Sequence, residues 1–164
     1  MTISSKFEHG TGYIWQPVEA PNLPETISVE GLTLLKKSEY HVSLAYVQHL
    51  LASEPEIEIK VFESLLAFNE KSEVSFLKYT GEFRFAQDGE RKTVVALCEV
   101  SNLEAFRNHM KAKLGIDLPP QPTHVTIYTL QPEVGIGLNS PAVMEDKSTP
   151  IEVPASVKEA MEIV

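Results

Sequence analysis

The chain has 164 residues, 43% hydrophobic and 23% charged, a balance that suits one well-buried globular domain and excludes a collagenous or wholly disordered chain. Fourteen Lys and Arg stand against 23 Asp and Glu, a formal net charge of −9, so the surface repels polyanions and long duplex nucleic acid is not an expected partner. No apolar run approaches the about 18 residues that cross a bilayer, and Met1–Gly10 is polar, without the apolar stretch of a secretion signal, so a cytoplasmic protein with no membrane partner is expected.

Residues 1–30 read as irregular. Gly10 and Gly12 flank Tyr13-Ile14-Trp15, which has the composition of a short edge strand, and Pro17, Pro21 and Pro24 interrupt anything longer. From Leu32 the apolar density rises into Tyr40–Val47, whose β-branched and aromatic residues predict a central strand. Ser53 and Glu56 then have the spacing of a capping box, with Pro55 in the first turn, and Val61, Phe62, Leu65 and Leu66 share one helical face. The alternation of Ile57, Ile59 and Val61 is a competing strand signal where that helix begins.

Val74–Phe85 and Thr93–Val100, with Asp88-Gly89 between them, predict a β-hairpin. Asn102 is placed to cap a helix that buries Leu103, Phe106 and Met110, and Gly115 to end it. After Pro119, Pro120 and Pro122 comes a second strong strand, His124–Leu130. Periodicity then fades through Gly135, Gly137 and Pro141, and a short helix is predicted over Ala155–Ile163. The whole pattern predicts a single α+β domain over residues 1–164, an antiparallel sheet with helices packed on one side and a weakly patterned tail from 139 to 164. The one cysteine, Cys98, lies in the apolar run Val94–Cys98, which predicts a buried, inert thiol and a reducing compartment.

The chemistry-bearing pattern is a repeated phrase. Of five histidines, His41 opens His41-Val42-Ser43-Leu44 and His124 opens His124-Val125-Thr126-Ile127, each inside a predicted strand. Residues i and i+2 of a strand share a face, roughly 6.5 Å apart. Each strand therefore offers one imidazole and one hydroxyl from an apolar backing. If the strands lie together, two imidazoles and two hydroxyls converge. An imidazole pair suits reaction at a phosphodiester: a neutral ring removes a proton from the attacking oxygen and a protonated ring donates one to the departing oxygen. Ser43 and Thr126 are placed to hydrogen-bond the non-bridging oxygens. Nothing in the arrangement requires a metal or a cofactor. The bland alternative, core histidines satisfied within a sheet, carries less weight because the phrase repeats in the two strongest strands.

The paired phrases resemble those of the two-histidine phosphoesterase superfamily, which includes RNA 2′,3′-cyclic phosphodiesterases and the bacterial 2′-5′ RNA ligase-like proteins. The resemblance spans roughly Leu32 to Leu130, with the two histidines at positions 41 and 124. It implies a bilobal fold of two pseudo-symmetric antiparallel sheets with helices outside and a central cleft. It also implies His41 and His124 as the acid–base pair and Ser43 and Thr126 as phosphate ligands, with hydrolysis of a 2′,3′-cyclic or related nucleotide phosphodiester as the activity. No Arg or Lys follows the second phrase before Lys147, which with the net charge favours a small cyclic nucleotide or an RNA end over a long strand. The alternative is a protein of the same fold that binds nucleotide or phosphate without turnover.

Other residues have two readings each. Tyr128, two places past Thr126, is a candidate to meet phosphate or a base, or else a tyrosine at the strand's rim. Tyr13 and Trp15 either form a base-stacking platform or pack an edge strand on the core. Lys36, Lys37, Lys78 and Arg84 either add local positive potential or are solvated strand-end charges. His9, His49 and His109 lack the phrase and read as surface residues, and no spacing matches a zinc site.

Overall fold

The computed structural model describes residues 6–19, 21–120 and 122–162. The two predicted strong strands form where expected, as β5 (Tyr40–Tyr46) and β8 (His124–Thr129). Around them lie β1 (Glu8–Gly10), β2 (Tyr13–Val18), β3 (Thr26–Val29), β4 (Leu32–Lys36), β6 (Ser75–Asp88), β7 (Arg91–Ser101) and β9 (Ser148–Ile151). Four helices complete the α+β fold among the described residues: α1 (Ile57–Lys71), α2 (Leu103–Leu114), α3 (Pro141–Lys147) and α4 (Ala155–Glu162). None is long and apolar enough to cross a membrane.

All nine strands join one antiparallel sheet, in the order β1-β2-β5-β8-β7-β6-β9, with the β3–β4 hairpin attached to β8 through β4. The sheet forks at β8. One edge of β8 pairs with β7, and the other is divided between β5, at Val125, and β4, at Tyr128 and Thr129.

Alternation along the strands separates two cores. On one face Val42, Leu44, Val94, Ala96, Val125 and Ile127 pack with Val61 and Leu65 of α1, Phe106 and Met110 of α2 and Val157 and Met161 of α4. Burying each of these side chains other than Ala96 fully is worth about 1.5–3 kcal/mol. On the other face Val95 and Ala86 pack with Ile136, Leu138 and Met144 of α3. The expectation of helices on a single side therefore fails for α3.

The N-terminal region is more regular than its prolines suggest. β1 and β2 form a hairpin joined by Thr11 (φ 50°) and Gly12 (φ 86°), the left-handed pair of a type I′ turn, and Glu30 and Gly31 repeat that turn between β3 and β4. Residue 12 must be glycine for a second reason: a Cβ there would stand 2.5 Å from the Cβ of Gln48. Glu58 of α1 pins the first turn, accepting from the Gly12 N–H at 2.6 Å and binding His9 at 2.5 Å. Pro17 is tolerated because β1 pairs with β2 only as far as Trp15, leaving the last residues of β2 with one neighbour.

Two helix starts differ from expectation. The capping box does not form: Ser53 Oγ donates to the Leu50 carbonyl, and α1 begins at Ile57, where the apolar face first meets the core. Asn102 precedes α2 in a left-handed conformation, and its side-chain amide donates to the Glu73 carbonyl instead of capping the helix. The predicted tail helix forms as α4; Ile163 lies outside the described residues. Before it, α3 starts at a Ser-Pro signal, with Ser140 Oγ accepting from the Val143 N–H, and leads into β9 on the edge of β6.

Candidate active site

β5 and β8 run antiparallel and meet at Val42 and Val125, both wholly buried. That register dictates the arrangement around it. One step along each strand sets His41 across from Thr126 and Ser43 across from His124, and all four side chains point away from the face that Val42 and Val125 occupy. The four residues line one cleft of about 330 Å³. Its remaining walls come from the β1–β2 turn (Gly10, Thr11), from Tyr13 and Trp15 of β2, from Lys37, and from residues 135–139.

Residues 135–139 form a wall because their alternation is that of a strand without a ladder. Ile136 and Leu138 enter the second core, which leaves Gly135, Gly137 and Asn139 more exposed between them. Asn139 Oδ1 accepts from the Tyr13 hydroxyl at 3.2 Å, joining this wall to β2. Trp15 and His41 also line a neighbouring hollow of about 390 Å³, with Glu8, Glu39 and Tyr40 among its other residues. The indole is 5.7 Å from the His41 ring and donates its Nε1–H to Glu8 at 3.0 Å.

The imidazoles are electrostatically tuned. His124 Nδ1 lies 2.7 Å from the Pro122 carbonyl, an acceptor only, so Nδ1 carries the hydrogen and Nε2 is left for a ligand. Burial lowers the His124 pKa from its ordinary value, and the bond to Pro122 only partly opposes this. Burial likewise lowers that of His41, reinforced by the positive charge of Lys37 and by His124, against a smaller opposing pull from Glu8. The two rings thus disfavour simultaneous protonation. Among the described residues, no protein group hydrogen-bonds the side-chain hydroxyl of Ser43 or Thr126.

Comparison with protein-family models, with curated proteins and with solved structures finds no match to this chain.

The other candidates separate. Tyr128 is not in the cleft: its ring is wholly buried in the first core and its hydroxyl donates to the Pro24 carbonyl at 2.6 Å. The cause is a bulge. Val95 is opposite Thr126 but Val94 is opposite Tyr128, so β8 inserts one extra residue and the face of Tyr128 is reversed. Of the four basic candidates only Lys37 reaches the cleft; Lys36 pairs with Glu25, Lys78 with Glu99, and Arg84 bonds Ser148. His9 binds Glu58, His49 stacks on Tyr46, and His109 packs against Phe68. Cys98 is buried and its thiol is pushed up to about 12, chiefly by burial. Sequence reasoning missed the 135–139 wall, whose only signal was the short alternation of Ile136 and Leu138. Among the described residues no group of three or more His, Cys, Asp or Glu is arranged to hold a metal ion.

Proposed function

We propose that the chain is a phosphoesterase of the two-histidine type that hydrolyses a 2′,3′-cyclic or related nucleotide phosphodiester. The observation that carries this reading is the convergence of His41, Ser43, His124 and Thr126 on one cleft through the Val42–Val125 register. On this reading the fork at β8 divides the sheet into two halves, β1-β2-β5 and β8-β7-β6-β9, each supplying one motif strand to a cleft between them.

The chemistry follows from what each group can donate or accept. One imidazole, neutral, takes a proton from a water that attacks phosphorus. The other, protonated, gives its proton to the departing ribose oxygen as the P–O bond breaks, and a phosphomonoester remains. The Ser43 and Thr126 hydroxyls donate to the non-bridging oxygens as charge builds on the five-coordinate phosphorus. Each positioned acid or base is typically worth about 10²–10⁴ in rate. Trp15 lines the cleft beside His41, an aromatic residue suited to stacking on a base.

The test is incubation with a panel of 2′,3′-cyclic nucleotides, 2′-5′-linked dinucleotides and ADP-ribose cyclic phosphate, with products identified by mass. The proposal predicts a gain of one water on at least one member. A nucleotide that binds in calorimetry but is never consumed would replace the enzyme reading with that of a binding protein.

A further inference from the structure

Lys37 carries the only charged side chain, apart from the histidines, among the described residues that line the cleft. Its side chain is only 13% exposed, yet its nearest carboxylate oxygen, Glu133 Oε2, is 3.6 Å away. A charge-assisted hydrogen bond is shorter, about 2.7–2.9 Å. The ammonium, with three donors and this one long ion pair, has donors left for an anion in the cleft. Glu133 is itself held in place: its other oxygen accepts from the Ser38 N–H at 2.8 Å, and its backbone sits at φ 62°, left-handed for a residue with a side chain. Burial would raise the Glu133 carboxyl, but the bonds from Ser38 and the charge of Lys37 outweigh that and hold it below its ordinary value. On the far side of Trp15, the adjoining hollow carries Glu8 and Glu39, so a second phosphate there would meet like charge.

We propose that Lys37 is the phosphate-binding cation of the cleft, that Glu133 is the residue positioning it, and that the substrate carries a single phosphodiester charge. The inference rests on the phosphoesterase reading and narrows its substrate to small mononucleotide-like phosphodiesters. Lys37 neutralises the one anion. The acidic hollow receives the uncharged remainder of the substrate, whose hydroxyl and amino groups can donate to carboxylates.

The test compares the wild type with Lys37→Met, Lys37→Arg and Glu133→Gln, using inorganic phosphate binding followed by histidine ring NMR shifts and turnover of 2′,3′-cyclic AMP. Lys37→Met keeps the apolar stem, and Lys37→Arg keeps the charge as well. Loss of a charged hydrogen bond predicts about 10–100-fold weaker phosphate binding and a raised KM in Lys37→Met, with most of the loss recovered in Lys37→Arg. The pH profile of Lys37→Met should shift upward, because the remaining titratable groups around His41 are His124, Tyr13, Glu8, Glu39 and Tyr40, and the cation that opposed its protonation is gone. Glu133→Gln should raise KM with kcat retained, and add nothing in a Lys37→Met background.

Phosphate binding that depends on Lys37 without turnover would support the Lys37 assignment and overturn the hydrolytic reading. Turnover and phosphate binding unchanged in Lys37→Met, with the same pH profile, would overturn the assignment and leave hydrolysis standing. An equal effect of Glu133→Gln with and without Lys37 would overturn the positioning role.

Discussion

The Pro122 carbonyl commits His124 to one tautomer, and burial holds both imidazoles below their ordinary 6.5. These two facts set the pH dependence of the free protein. On the proposed function, catalysis by the pair needs one ring neutral and one protonated, a state most populated between the two macroscopic pKa values of the pair. Both rings are shifted down, so kcat/KM should peak below about pH 6.5 and decline as pH rises through neutrality. A measured optimum of kcat/KM at or above pH 7 would contradict the assignment of these rings. At this scale the sequence was informative, because the phrase His-x-hydroxyl-x is local and strand alternation alone puts its polar members on one face. Lys37 was only one of four basic candidates, since both it and Lys36 pair with a glutamate and what separates them is that Lys37 lines the cleft, which depends on segments distant in the chain.

At the scale of elements, the bulge in β8 has the largest consequence. Strict alternation puts Tyr128 beside Thr126; the extra residue sends it into the core, where it bonds Pro24. Tyr128→Phe should therefore lower unfolding stability by about 1 kcal/mol, the net value of a typical hydrogen bond, while leaving turnover of the cyclic nucleotide unchanged. Urea denaturation and initial-rate measurement together check both halves; a large loss of turnover in the folded variant would return Tyr128 to the site. Long elements with strong periodicity, such as β6, β7 and the faces of α1 and α2, were legible from their apolar spacing. β1 and β3 were not, because their turns are Thr-Gly and Glu-Gly rather than the Asn-Gly or Asp-Gly that signal a hairpin, and because Glu58 of α1 stabilises the first from a distance. Asn102 shows the same limit: its identity suits a cap, but a carbonyl of Glu73 takes its amide.

For the molecule as a whole, the acidic balance and the cleft divide the work. A net charge of −9 repels polyanions broadly, while one lysine and two imidazoles gather at a single concave site. The antiparallel α+β class followed from the alternation of hairpins and helices, but the wall at 135–139 and the helix α3 did not, because their packing against Val95 and Ala86 belongs to a second core that no single segment announces. What makes the site one unit is the register at Val42 and Val125, which leaves each imidazole across from the other strand's hydroxyl. Two groups acting on one reaction step lose their effect together rather than separately. The direct measurement is turnover of a 2′,3′-cyclic nucleotide by wild type, His41→Ala, His124→Ala and the double variant. The account predicts that each single substitution lowers kcat by about 10²–10⁴ and that the double variant is little worse than the poorer single. Near-wild-type turnover in either folded single variant would contradict it.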